Sequence, residues 1–160
     1  MDGSCVVALA NNKVVVMGGM GGGDKVSMYD GHKTWTRRTN LPTKRVGHSC
    51  VLLEDGAIMV AGGWEGAFSN ILDTVLVYKD DSFRELPRRM TTPRAWGQMV
   101  RVNDRILYFG GRNNLAENLD TVEEFDEATQ KWKKLGTTMK NPRSYFSAVV
   151  VPASKVGCRS

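Results

Sequence analysis

The sequence predicts an all-β chain of tandem four-stranded antiparallel sheets, and three observations predict it. Glycine pairs recur at Gly18-Gly19, Gly62-Gly63 and Gly110-Gly111. Each pair is followed by a strand-like run ending in an aromatic residue, at Tyr29, Tyr78 or Phe125, and then by a second aromatic, Trp35, Phe83 or Trp132. A turn containing Pro or Met then closes on an arginine, and Arg45, Arg94 and Arg143 recur every 49 residues. No segment carries a sustained helical period.

A repeat near fifty residues, with short apolar runs between turn residues, is the signature of propeller blades, each a single four-stranded sheet. The first strands are expected at Cys5 to Ala10, Cys50 to Leu53, Met99 to Val102 and Phe146 to Val151. Tight polar turns at Asn11-Asn12, Glu54-Asp55-Gly56 and Asn103-Asp104 lead into second strands at Lys13 to Met17, Ala57 to Ala61 and Arg105 to Phe109. These are rich in β-branched and aromatic residues and run straight into the glycine pairs. The third strands end at the first aromatic of each repeat. The fourth centre on Trp35, Phe83 and Trp132, large enough to fill the space between neighbouring sheets.

The glycine pair, the Tyr-Asp step, the Trp about six residues later and the Pro/Met turn before Arg together resemble the kelch repeat. The resemblance covers nearly the whole chain and is best at Arg105 to Gly111, Val122 to Trp132 and Thr39 to Arg45. Lys79 stands where that pattern has aspartate, Phe83 where it has tryptophan, and the loop Met20 to Asp24 is shorter than its counterparts. The near-copies Asn70-Ile-Leu-Asp-Thr-Val75 and Asn118-Leu-Asp-Thr-Val122 support the register independently. The organisation read from these marks is repeat 1 over 1–45, repeat 2 over 46–94, repeat 3 over 95–143 and a partial fourth over 144–160. The expected architecture is a kelch-type β-propeller segment of about three blades plus a partial fourth, an incomplete ring. Such a ring belongs to a longer or truncated protein, or is completed by self-association.

Composition bounds the function. At 160 residues, 41% hydrophobic, with no apolar stretch near twenty residues and no leader-like N-terminus, nothing points to membrane insertion or secretion. The net charge of +5 is scattered in short clusters such as Arg37-Arg38, Arg88-Arg89 and Lys131 to Lys134, a solvated face rather than a nucleic-acid stripe. Aligning Met1 with Val46 places Cys5 and Cys50 at equivalent strand positions, where they read as small buried hydrophobes in a reducing, cytoplasmic setting. Cys158 in the tail reads as a free thiol.

No catalytic, cofactor or metal site is expected. Gly18 to Gly23 lacks the Gly-Lys-Ser/Thr and helix of a phosphate loop, and His32 and His48 lack partners at useful spacing. His48 reads as structural, and the two histidines and three scattered cysteines form no ligand cluster.

In an up-and-down blade, the loops joining strands two and three emerge on the same face as the connections between blades, and the hairpin turns lie on the other. The first face gathers Met20, Trp64, Arg112 and Asn114 from the glycine loops, and Arg45, Arg94, Trp96, Arg143, Ser144 and Tyr145 from the junctions. Trp, Tyr and Arg are enriched where proteins bind. Partner binding is therefore assigned to Trp64, Arg94, Trp96, Arg112, Asn114, Arg143, Ser144 and Tyr145. The resemblance implies a non-catalytic protein-interaction module that takes a protein or peptide ligand, an acidic one if the arginines bind it. The competing reading has the junction arginines tying blades together. Substrate recognition for a cullin-type ubiquitin ligase, actin scaffolding and a kelch-like enzyme are the finer alternatives that the resemblance brings.

Overall fold

A computed structural model of the chain describes residues 3–10, 12–66 and 70–151. Twelve strands form three four-stranded antiparallel sheets. Blade 1 holds β1 (Cys5–Ala8), β2 (Val14–Met17), β3 (Val26–Tyr29) and β4 (Trp35–Arg38). Blade 2 holds β5 (Ser49–Leu52), β6 (Ile58–Ala61), β7 (Val75–Lys79) and β8 (Ser82–Glu85). Blade 3 holds β9 (Gln98–Val102), β10 (Arg105–Phe109), β11 (Thr121–Asp126) and β12 (Lys131–Thr138). Strands pair in sequence order within each sheet, so every blade is an up-and-down meander, and the all-β propeller reading holds.

Burial follows blade position. Along a strand, successive side chains point to opposite faces. In blade 1 the second strand alternates, with Val15 and Met17 buried and Val14 and Val16 half-buried, because only one face is covered. In blade 2 all four residues of Ile58–Ala61 are buried, because neighbours pack on both faces. One core joins Val15, Met17 and Val26 to Ile58, Val60 and Tyr78. The other joins Met59, Val75 and Met90 to Ile106, Phe125 and Trp132. The outer aromatics fill those spaces as expected wherever a preceding blade exists: Trp132 is 8% exposed against blade 2, whereas Trp35 on the open face of blade 1 is 55% exposed.

Two expectations need correction. Phe146–Val151 joins no ladder among the described residues, since a strand needs a hydrogen-bonded neighbour and none lies beside it. The cysteine pair differs more sharply: Cys5 and Cys50 are joined by a disulfide, with Cα atoms 5.8 Å apart. They are also not equivalent. Cys5 pairs with Met17, the residue before its glycine pair, as Ser49 pairs with Ala61 before Gly62, so Cys5 matches Ser49 and Cys50 lies one residue further along. A one-residue offset reverses the face to which a strand residue points. Cys5 therefore faces forward into blade 2 and Cys50 faces back into blade 1. The next junction repeats this meeting without sulfur: Ser49 Oγ accepts the Met99 N–H at 2.8 Å. Cys158 and Asn11 lie outside the described residues.

Candidate interaction face

Arg45 and Arg94 are each held by the backbone in one blade while the side chain reaches into the next. The carbonyls of Arg45, Arg94 and Arg143 accept the N–H groups of Gly19, Gly63 and Gly111, each at 2.9 Å. This explains the glycine pairs. A Cβ on Gly62 would lie 2.3 Å from the Arg94 carbonyl oxygen, and φ there is +68°, so both space and backbone exclude a side chain. Arg45 Nη1 donates to the carbonyls of Gly62 at 2.8 Å and Thr74 at 3.1 Å, and Nη2 donates to Thr74 Oγ1 at 2.7 Å. Burial lowers the pKa of its guanidinium to about 10.

Arg94 repeats the pattern one blade on, donating to the carbonyls of Gly110 and Thr121, to Thr121 Oγ1, and to Glu123 Oε1 at 2.5 Å. With 0% exposure, Arg94 is a tie between blades and has no surface to offer a partner. Its place in the expected binding set is corrected on that ground. Arg143 is the third of the series but is exposed, with its Nε donating weakly to the Asn141 carbonyl at 3.4 Å.

Two residues after each arginine runs a second ladder, which circles the propeller axis. Gly47 N–H donates to Gly3 O at 2.7 Å, Trp96 N–H to Gly47 O at 2.6 Å, and Tyr145 N–H to Trp96 O at 2.8 Å. All four ladder residues have positive φ, at 73°, 65°, 57° and 57° in chain order. Glycine adopts that backbone freely, but a bulky aromatic does so at a cost of roughly 1–3 kcal/mol. The circumferential hydrogen bonds hold Trp96 and Tyr145 there. The result is an aromatic ledge along this ladder. Trp96 stacks on Tyr145 with centroids 4.9 Å apart, and Trp64 joins from the other side at 6.1 Å. A Cβ on Gly47 would fall 2.6 Å from the Trp96 ring, so the small residue in the first junction makes room for the large one in the second.

The ledge floors a groove of about 490 Å³, lined also by Met20, Val46 and His48 and, among the described residues, by no Asp, Glu, Lys or Arg. On the far side of Trp64 and Trp96 lies a second hollow of about 260 Å³, where Arg112 and Asn114 sit. Arg112 Nε donates to the Ala116 carbonyl at 3.1 Å, which fixes its side chain and leaves the terminal nitrogens with no acceptor among the described residues. Asn114 commits its Oδ1 to the Ile71 N–H at 2.8 Å, binding the blade 3 loop to the blade 2 loop. Ser144 Oγ donates to Asn118 Oδ1 at 2.7 Å.

Trp64, Trp96, Arg112, Asn114 and Tyr145 thus come together around the two hollows, whereas Ser144 and Arg143 line neither and Arg94 is buried. His48 is in the groove wall, where sequence reasoning saw only a structural residue. Burial first, and the nearby Arg45 charge second, lower its pKa to about 3, so its ring is neutral.

The kelch motif model matches residues 93–138, which is blade 3 with its entering junction. Kelch domain-containing protein 8B of Bos taurus is 29% identical over 113 residues, 64% of this chain and 32% of that protein; the Homo sapiens protein matches to the same extent. Residues 93–138 thus carry a kelch motif, and the chain is similar to kelch-repeat proteins. The chain also overlays the structure of YjhT with a TM-score of 0.78, over 89% of this chain and 53% of that one, at 16% identity. At that identity the likeness speaks for the fold. The match with the curated relatives takes in about a third of their length. Among the described residues no group of three or more His, Cys, Asp or Glu could hold a metal ion.

Proposed function

We propose that this kelch segment is a non-catalytic protein-interaction module whose partner binds across the aromatic ledge of Trp64, Trp96 and Tyr145 with an acidic group on Arg112. The observation that carries this reading is the ledge itself. Two consecutive junctions place a bulky aromatic in a left-handed backbone that glycine would occupy without strain, and strain of this kind collects where a surface is used. Stacked aromatics offer a rigid apolar anchor, and a fixed guanidinium beside them offers directional, charge-assisted hydrogen bonds to a carboxylate. An extended peptide with an apolar or aromatic residue beside an acidic one fits both. Substrate recognition for a cullin-type ubiquitin ligase and actin scaffolding are finer versions of this reading, carried by family resemblance.

The test is a peptide array with apolar and acidic positions varied independently, probed with wild type, Arg112→Ala and Asp104→Ala. Removal of Arg112 should weaken acidic peptides by about 2 kcal/mol, roughly 30-fold. The hairpin-turn variant Asp104→Ala should bind as wild type. Equal binding by all three proteins would refute the assignment.

A further inference from the structure

The disulfide lies directly behind the groove. Gly3 and Ser4, just before Cys5, and Val46, Gly47 and His48, just before Cys50, line one side of it. The two segments also meet through the Gly47 N–H to Gly3 O hydrogen bond. Whatever fixes β1 to β5 therefore fixes this wall. At the neighbouring junction the same two strand positions are joined by only the Ser49 and Met99 hydrogen bond, so the scaffold holds blades together without a covalent link. Blade 1 is also held to blade 2 by a shared core and by the Arg45 tie, neither of which is covalent.

We propose that the Cys5–Cys50 disulfide is a reversible latch that sets how firmly the blade 1 wall of the groove is held. Its chemistry is thiol–disulfide exchange with a small cellular thiol. Cys5 is 6% exposed while Cys50 is half-buried, so the incoming thiolate attacks Cys50 Sγ. That step breaks the bond to Cys5, whose sulfur leaves as a thiolate and takes up a proton. A second thiol then attacks the external sulfur of the mixed disulfide and frees Cys50. The balance is one protein disulfide and two thiols in, two cysteine thiols and one small disulfide out. The latch does not depend on what the groove binds.

The experiment uses the full chain with Cys158→Ser, poised in glutathione buffers from reducing to oxidising, with alkylation and mass spectrometry counting thiols and hydrogen exchange reporting backbone opening. The expected result is one reversible transition of Cys5 and Cys50. In the reduced form, exchange should be faster by about tenfold or more at 3–8 and 46–52, and unchanged in β10 and β11. A variant carrying both Cys5→Ser and Cys50→Ser should match the reduced protein and ignore the buffer. The proposal is overturned if the two thiols never pair in any buffer, if exchange is the same in both forms, or if reduction opens all three blades together.

Discussion

Arg94 and Glu123 form an ion pair in which neither side chain is exposed at all, and it joins blade 2 to blade 3. The carboxylate also accepts the N–H groups of Thr91 at 2.7 Å and Thr92 at 3.1 Å, so both partners are satisfied by more than each other. Removing one partner from such a pair leaves a buried, uncompensated charge. Glu123→Ala should therefore destabilise the fold by roughly 3–5 kcal/mol in urea unfolding. Arg143→Ala, at the equivalent but exposed position, should change it by no more than about 0.5 kcal/mol. Similar losses from the two variants would contradict the distinction between a tie and a surface residue.

The outer aromatics give a second contrast. Trp132 and Trp35 occupy the same strand position, but only Trp132 has a blade packed over it. Trp132→Ala should cost roughly 3–5 kcal/mol and Trp35→Ala under about 1 kcal/mol, measured by chemical denaturation.

His48 makes the fold sensitive to acid. Its folded pKa is lowered from 6.5 to about 3, so the unfolded chain binds the proton more readily between those values. The contribution of its neutral ring is fully present above about pH 6.5 and is lost progressively as pH falls toward 3. A ring titration by NMR should show His48 unprotonated at pH 5. A midpoint near the ordinary histidine value would show that the ring is not buried as described.

The repeats announced the blades because their marks are strong and local. Glycine pairs, paired aromatics and hairpin turns each answer to a backbone or packing requirement inside one blade. Register at the chain start was harder, since no arginine precedes Gly3 to align it, and an error of one residue turned Cys5 to the wrong face. Arg94 was ambiguous because most of its acceptors are backbone carbonyls, which leave no trace in a side-chain pattern. Glu123 was the available clue: it stands where blade 2 has buried Leu76, and a charge at a buried position implies a buried counter-charge. The ledge needed the structure, because the repeat aligns Trp96 and Tyr145 with Gly47 but a glycine position does not announce that aromatics will keep its positive φ and stack.

The most direct test of the account is a hydrogen-exchange footprint of the chain saturated with an acidic, aromatic-containing peptide selected on the array. Protection gathered at 63–66, 95–98, 111–116 and 144–146, with no change at the hairpin turns around Asp55 and Asp104, is the predicted result. Protection at the turns, or its absence around Trp96 and Arg112, would contradict the assignment of the binding face.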